Sequence, residues 1–311
     1  MRKPPVDRRL FLKQIAAWSA GATLAPPLFR ILPQALAEES PKPVLAVAKG
    51  SDYEALVAKV LEPLGGIAAF VKKGDRVVVK PNIGWDRKPE QAANTHPLVV
   101  KAIVKLALDA GASKVMVFDR TCNEMRRCYV SSGIIDAVKT IGDARVSWYH
   151  VEDEDKKFVP VKIEKAKDIK EWQFYKDALE AECYINVPIA KHHRLSKLTL
   201  SLKNVMGSIG GNRGEIHQAM GQRIADLNTV LRPKLNVMDA TRILLRNGPV
   251  GGKLEDVKVL DTLIASADIV ATDAYATTLF DQKPEEIEAT AAAAKLGLGE
   301  MDLARVKIVK V

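Results

Sequence analysis

Cysteine is scarce in this 311-residue chain: Cys122, Cys128 and Cys183 are the full complement, with no C-x-x-C pair. Three thiols fall short of the four that usually hold an iron–sulfur cluster, so a self-contained cluster is not expected. A Cys122–Cys128 disulfide suits an oxidising compartment, but spacing alone does not supply its geometry. Also missing are H-E-x-x-H, a glycine loop closed by G-K-[ST], and the G-x-S-x-G nucleophile elbow. Their absence gives no support to zincin, P-loop or serine-hydrolase chemistry. No apolar run after residue 43 approaches the length of a membrane span.

The N-terminus has a character of its own. Arg8 and Arg9 precede Phe11-Leu12-Lys13, a mildly apolar Ala/Gly-rich run follows, and Ala35-Leu36-Ala37 offers a small-x-small cleavage site. This resembles a twin-arginine export signal over residues 1–37, with residues 38–43 as a linker. The expectations are periplasmic localisation, the twin-arginine machinery as a partner, and no membrane span after cleavage. The leader carries six Lys/Arg and one Asp, so five of the nine formal positive charges leave with it. The remaining charge of about +4 is too modest for a whole-protein polyanion binder, and nucleic acid is not an expected partner.

From residue 44 onward, apolar β-rich runs alternate with segments of helical period. "VLAVAKG", "RVVVKPN", "SKVMVFD", "CYINVP", "KLNVMDATR" and "DVKVLDTLIAS" read as strands. "LVVKAIVKLALDAGA", with apolar positions 99, 103, 106 and 107, reads as a helix closed by Gly111. "ARVSWYHVED" and "KKFVPVKI" read as strands joined by an acidic turn. The pattern predicts an α/β fold with a largely parallel sheet flanked by helices, as a single domain over residues 44–311 or as two lobes around a cleft.

Ligands of open α/β sheets lie beyond the carboxyl ends of the strands. Lys80 and Asn82 follow one strand, Asp119 and Arg120 another, Asn186 a third and Asp239 a fourth. Lys80 ends a Val-Val-Val run and precedes a proline that stops the strand, so its ammonium is either solvated or aimed into a cleft. His96, just before Pro97, is either a helix cap or part of an anion site at a helix N-terminus.

The stretch "KHHRLSKLTLSLKNVMGSIGGNRGEIHQ" holds three of the five histidines. His192 and His193 are adjacent and point apart on a strand, so they do not share a metal. His217 lies 24 positions beyond His193, with no ligand spacing between them. Alternation in "TLSLKN" predicts a strand showing Thr199, Ser201 and Lys203 on one face and leucines on the other. "GSIGGNRG" offers backbone N–H groups able to wrap a phosphate or carboxylate.

With these residues in view, the chain resembles the domain-of-unknown-function 362 family, bacterial and archaeal α/β proteins of mostly unassigned activity. The resemblance runs over about residues 44–311, through "GDRVVVKPN", "NTHPLVVKAIVKLALDAGASKVMVFD", "INVPIAKHHRLSKLTLSLKNVMGSIG", "VMDATRILLRNGPVGG" and "ASADIVATDAYATTLF". It carries over to Lys80, Asn82, His96, Asn186, Lys191, His193, Lys203, Asn204, Gly207, Asp239, Gly248 and Asp273. The chain departs from the family pattern with Ile189 in place of a common lysine and His192 in place of a common threonine. It also has no appended cysteine-rich ferredoxin module.

These readings together predict an exported enzyme acting on a small anionic substrate, a carboxylate or phosphate, in a Lys/His-lined cleft. His96, His193 and Lys80 are the expected catalytic residues, with the histidines as the proton-transfer pair. Asn82, Asn186, Lys191, Lys203 and Asn204 are the expected substrate-binding residues. Asp239, Asp273 and His217 are the candidates for a divalent metal or a metal-containing cofactor. Isomerisation or racemisation by proton transfer fits this cast, as does metal-assisted hydrolysis. The alternative is a non-catalytic periplasmic anion- or cofactor-binding protein accessory to a redox partner.

Overall fold

The computed structural model describes residues 42–152 and 156–311. The expected leader, with its arginine pair and Ala35-Leu36-Ala37, lies outside these residues. In chain order the elements are β1 (Val44–Lys49), α1 (Tyr53–Leu61), β2 (Arg76–Pro81), α2 (Pro97–Asp109), β3 (Lys114–Val117), α3 (Met125–Ser131), α4 (Ile134–Lys139) and β4 (Val146–Trp148). Next come β5 (Phe158–Lys162), β6 (Glu171–Tyr175), α5 (Lys176–Glu180), β7 (Cys183–Val187), β8 (Ile189–His193), β9 (Lys197–Thr199), α6 (Ser201–Asn204) and α7 (Met220–Asn228). The chain closes with β10 (Leu235–Leu244), β11 (Val257–Ser266), α8 (Ile269–Thr278), α9 (Glu288–Lys295) and β12 (Lys307–Lys310).

The main sheet runs β12-β1-β11-β10-β7-β2-β3-β4, with β8 branching from β10 and β9 from β8. All pairings along the main order are parallel except the two made by β11, which runs antiparallel to β1 and β10. The sheet is therefore mostly parallel, as the alternation of elements predicts. Lys42–Val311 form one compact unit.

Side-chain alternation along β2 builds the two core layers. Val77 and Val79 pack with α1, α2 and α4 residues such as Val57, Ile103 and Ile135. Val78 faces the other way, into a cluster with Phe118, Tyr184, Phe174 and residues of α7 to α9. Covered on both faces, the central strands read as continuous apolar runs. Asp52 caps α1 by accepting from Ala55 N at 3.1 Å, and Pro97 occupies the first turn of α2.

Both segments expected as strands on either side of the acidic stretch form strands: β4 joins β3 in the main sheet, while β5 and β6 form a separate hairpin. One local expectation is corrected. The strand expected through "TLSLKN" ends at Thr199, and Ser201–Asn204 turn into a short helix. The cause lies 72 residues away: Asp273 of α8 accepts hydrogen bonds from Ser201 N at 2.7 Å and Leu202 N at 3.0 Å, gathering the amides that a helix start exposes. Leu198, Leu200 and Leu202 remain buried, so burial of the leucines does not distinguish strand from helix.

Candidate functional site

The carboxyl ends of β2, β3 and β8 converge with α6 and the glycine loop on a cavity of about 510 Å³. Lys80, Asn82, Lys191, His193, Lys203, Asn204 and His217 all line it, as do Asp119, Arg120, Cys122 and Thr199. The parallel register places Lys80 of β2 beside Asn186 of β7, which is how two strand ends separated by more than a hundred residues come together.

Lys80 is fully enclosed. Its Nζ lies 2.9 Å from Asp119 Oδ1 and donates to Asn204 Oδ1 at 2.9 Å. Asp119 Oδ2 accepts from Ile83 N at 2.6 Å, which fixes the carboxylate beside the ammonium. Burial lowers the Lys80 pKa, and Asp119 opposes that shift. Gly207 lies against this pair: a Cβ there would stand 1.7 Å from Asp119 Oδ1. Only glycine fits so close to the ions.

Lys191 is equally buried but has no carboxylate partner among the described residues. Its Nζ donates to Ala93 O at 2.5 Å and Asn82 Oδ1 at 3.2 Å, and it sits 5.9 Å from the centre of the Trp85 ring. Burial depresses its pKa to about 7, with Lys203 and Lys80 adding repulsion. Lys203 is half-buried, and among the described residues its Nζ meets only the Met206 thioether, at 3.6 Å; burial lowers its pKa to about 8. Among the lining residues, six cationic side chains face the single carboxylate of Asp119.

A row of amides supports the lysines. Asn204 Oδ1 also accepts from Asn82 Nδ2 at 3.1 Å, while Asn204 Nδ2 donates to Asn186 Oδ1 at 2.8 Å and Lys80 O at 3.2 Å. Asn186 Nδ2 donates to Asn236 Oδ1 and Ser201 O. Asn186 therefore reaches the cavity only through Asn204 and does not line it.

The two expected catalytic histidines are not brought together. His193 lines the cavity, but its Nδ1 accepts from Leu195 N at 3.2 Å and Ser196 N at 3.1 Å. In the neutral ring the proton then sits on Nε2, which makes the side chain a donor toward the cavity. Burial, together with Lys203 and Lys191, pushes its pKa down to about 3, so it stays neutral. His96 caps α2, its Nδ1 accepting from Leu98 N at 3.3 Å, and its ring packs edge-on against Tyr53 at 4.7 Å. It is not among the cavity-lining residues.

The proposed metal ligands are likewise dispersed. Asp239 accepts from His96 N at 2.7 Å and from Thr241 N and Oγ1, and Asp273 caps α6; neither lines the cavity, whereas His217 does. Among the described residues no group of three or more His, Cys, Asp or Glu is placed to hold a metal ion. The glycine loop is also differently employed. Gly210 N donates to Gln173 O, and the Gly210 carbonyl accepts from Trp172 Nε1, so its middle packs on the β5–β6 hairpin. Arg120 Nη1 donates to Ile209 O and Gly211 O, and Arg213 to Arg120 O and Thr121 O, tying the loop to the end of β3.

Asp119 is the residue that sequence reasoning underweighted. Its place after β3 is legible, but its pairing with Lys80 depends on the parallel register of β2 and β3. Cys122, Cys128 and Cys183 are all free thiols, so the Cys122–Cys128 disulfide does not form; Cys122 is exposed on the cavity wall.

Comparison with known proteins gives the following likenesses. The thylakoid-associated protein sll1697 of Synechocystis is 27% identical over 270 residues, covering 82% of this chain and 79% of that protein. Among solved structures, the lactate racemase apoprotein from Thermoanaerobacterium thermosaccharolyticum matches with a TM-score of 0.45 at 10% identity, over 72% of this chain and 54% of that one. A Thermotoga maritima protein matches with a TM-score of 0.37 at 10% identity, over 79% of this chain and 60% of that one. The chain thus spans little more than half the length of these solved structures. The profile of the family Domain of unknown function (DUF362) matches residues 77–278, the stretch that carries every lysine of the cavity. The chain belongs to the DUF362 family.

Proposed function

We propose that this protein is an enzyme acting on a small anionic substrate, a carboxylate or a phosphate, held in the lysine-lined cavity. The observation that carries this reading is the uncompensated charge: three lysines converge where a single carboxylate, already paired with Lys80, opposes them. Buried ammoniums without counter-ions are costly, and an anionic ligand offsets that cost directly. Thr199 adds a second opening for a ligand, since its buried Oγ1 lines the cavity without a hydrogen-bond partner.

The roles divide by what each side chain already does. Lys191 is tethered by Ala93 O and Asn82, so it orients the anion. His193 donates from Nε2. Lys203, with only a thioether in reach among the described residues and a pKa of about 8, is the group free to take and return a proton near neutral pH. This supports proton-transfer isomerisation over a scheme built on paired histidines. The carboxylates do not fit a protein-caged divalent ion, because Asp239 and Asp273 spend their oxygens on amides and a hydroxyl away from the cavity. A metal-containing cofactor would fit these lysines only through anionic groups of its own.

Calorimetric titration with sulfate, phosphate and short 2-hydroxy acids, on the parent protein and Lys203→Met, tests the reading. Binding that weakens about tenfold or more in Lys203→Met is expected, together with exchange of the substrate's C–H proton in D2O. Binding without exchange would return the protein to the non-catalytic, anion-binding alternative; no anion binding at all would remove both. Export to the periplasm by the twin-arginine route is also proposed, resting on Arg8, Arg9 and Ala35-Leu36-Ala37. An Arg8→Lys/Arg9→Lys variant that still reached the periplasm would overturn it.

A further inference from the structure

The cavity combines an enclosed charged floor with an apolar patch near its mouth. In the floor, Lys80 and Lys191 are each 1% exposed and Thr199 4%. Its mouth is open and mixed: Leu195, on the turn between β8 and β9, is 67% exposed and forms an apolar patch with half-buried Trp85, Pro249 and Val250, while exposed Arg194 and His217 and half-buried Arg213 share the lining. An ordinary surface depression places charges outward, where water solvates them, and apolar groups inward. A site for a fully hydrated small ion has no use for an apolar patch above its ammoniums.

This patch is built by two loops that the fold holds in position. Gly248 presses on β8 so closely that a Cβ would stand 1.9 Å from His192 O; its N–H donates to His192 Nδ1 and its carbonyl accepts from Arg194 N. Pro249 and Val250 are thereby fixed beside the β8–β9 turn that carries Leu195. Across the mouth, Trp85 N donates to Asn94 Oδ1, and Asn94 Nδ2 returns a bond to Trp85 O, which anchors the tryptophan's backbone. The volume agrees with the polarity: about 510 Å³ lies within the ~300–1,000 Å³ of sites that enclose whole organic ligands.

We infer that the ligand of this cavity is bipartite: an anionic group that enters first and meets Lys80, Lys191, Lys203 and Thr199, joined to an apolar, flat body that lies against Trp85, Leu195, Pro249 and Val250. This rests on the anion-binding reading above and narrows it from small anions in general to organic phosphates or carboxylates with an apolar body. The charged end supplies the alignment, and the body covers the mouth and takes water off the lysines.

The probes are 2-naphthyl phosphate, inorganic phosphate and 2-naphthol, with 2-naphthoate and acetate as the carboxylate pair, titrated calorimetrically into the full chain. The aryl member of either pair is expected to bind at least about tenfold tighter than its small counterpart. 2-Naphthol, lacking the anion, is expected to bind far more weakly than 2-naphthyl phosphate. Leu195→Ser and Val250→Ser, at positions exposed enough to leave folding intact, are expected to shrink the ratio of aryl to inorganic affinity. Binding of phosphate and acetate as tight as that of their aryl partners would overturn the bipartite ligand while leaving the anion site standing. Binding of 2-naphthol as tight as 2-naphthyl phosphate would overturn it in the other direction. Failure of every anion to bind would remove the anion site, and this inference with it.

Discussion

Replacing Gly207 by alanine would place a methyl carbon 1.7 Å from Asp119 Oδ1 and 2.5 Å from both Cε and Nζ of Lys80. Neither ion can retreat into solvent, since Lys80 is 1% and Asp119 3% exposed. Two responses are open. The loop can shift, at the ~1–3 kcal/mol typical of overpacking, or the ion pair can separate, at the ~3–5 kcal/mol of a broken buried pair. A loss of at least about 1 kcal/mol in urea-unfolding stability is therefore expected, read as a lower midpoint at constant slope. The mechanism is separable from a general intolerance of side chains by a double-mutant cycle. In an Asp119→Ala background the methyl group meets no carboxylate, and Lys80 loses the partner that holds it in place. The cost of Gly207→Ala should then fall by about 1 kcal/mol or more. A loss below about 1 kcal/mol, or strict additivity of the two changes, would refute the argument that the ion pair is what requires glycine here.

Sulfate, which keeps its charge over this range, should bind more weakly as pH rises through the lysine values of about 7 and 8, by up to about tenfold per unit for each lysine that has discharged. The ligand-free protein should behave in the opposite sense. Both lysines titrate below their ordinary 10.5 when folded, so the unfolded chain holds more protons between about 7 and 10.5 and their contribution to stability rises with pH in that window; a contribution that fell there would sink the assignment. In native protein, a thiol reagent should titrate one cysteine quickly, Cys122, because burial raises the Cys128 and Cys183 thiols to about 11 and 12; mass mapping of the adduct decides. His96→Ala should cost about 1 kcal/mol as a lost helix cap and leave anion affinity unchanged. A tenfold drop in affinity would return His96 to the site.

The lysines were legible because strand ends are local events: a Val-Val-Val run stopped by Pro81 places Lys80 at a carboxyl end whatever the topology. Lys191, Lys203 and Asn204 gather with it as the family resemblance implies. What was not legible depends on partners far along the chain. His96 has the sequence context of both a cap and an anion site, and only the packing of its ring on Tyr53 and its amide on Asp239 decides between them. Asp239 and Asp273 look like ligands in sequence because an acid carries no mark of what it will accept. Both are occupied by backbone amides that tertiary structure delivers. The misread strand at 199–203 has the same origin, since alternation describes the leucines correctly while a distant carboxylate decides the backbone.

The asparagine row beneath the cavity has an electrical consequence. Asn82 donates to Asn204, Asn204 to Asn186, Asn186 to Asn236, and Asn236 to Ser266 O, a relay that leads from the two cavity-lining amides into the sheet. The carboxamide dipoles therefore line up, each polarising the next, with their oxygen ends toward Lys191 and Lys80. Lys191 is in this way steadied by oriented neutral groups alone, and Lys80 by the same row together with Asp119. The positive potential survives at the cavity floor, available to whatever negative charge arrives.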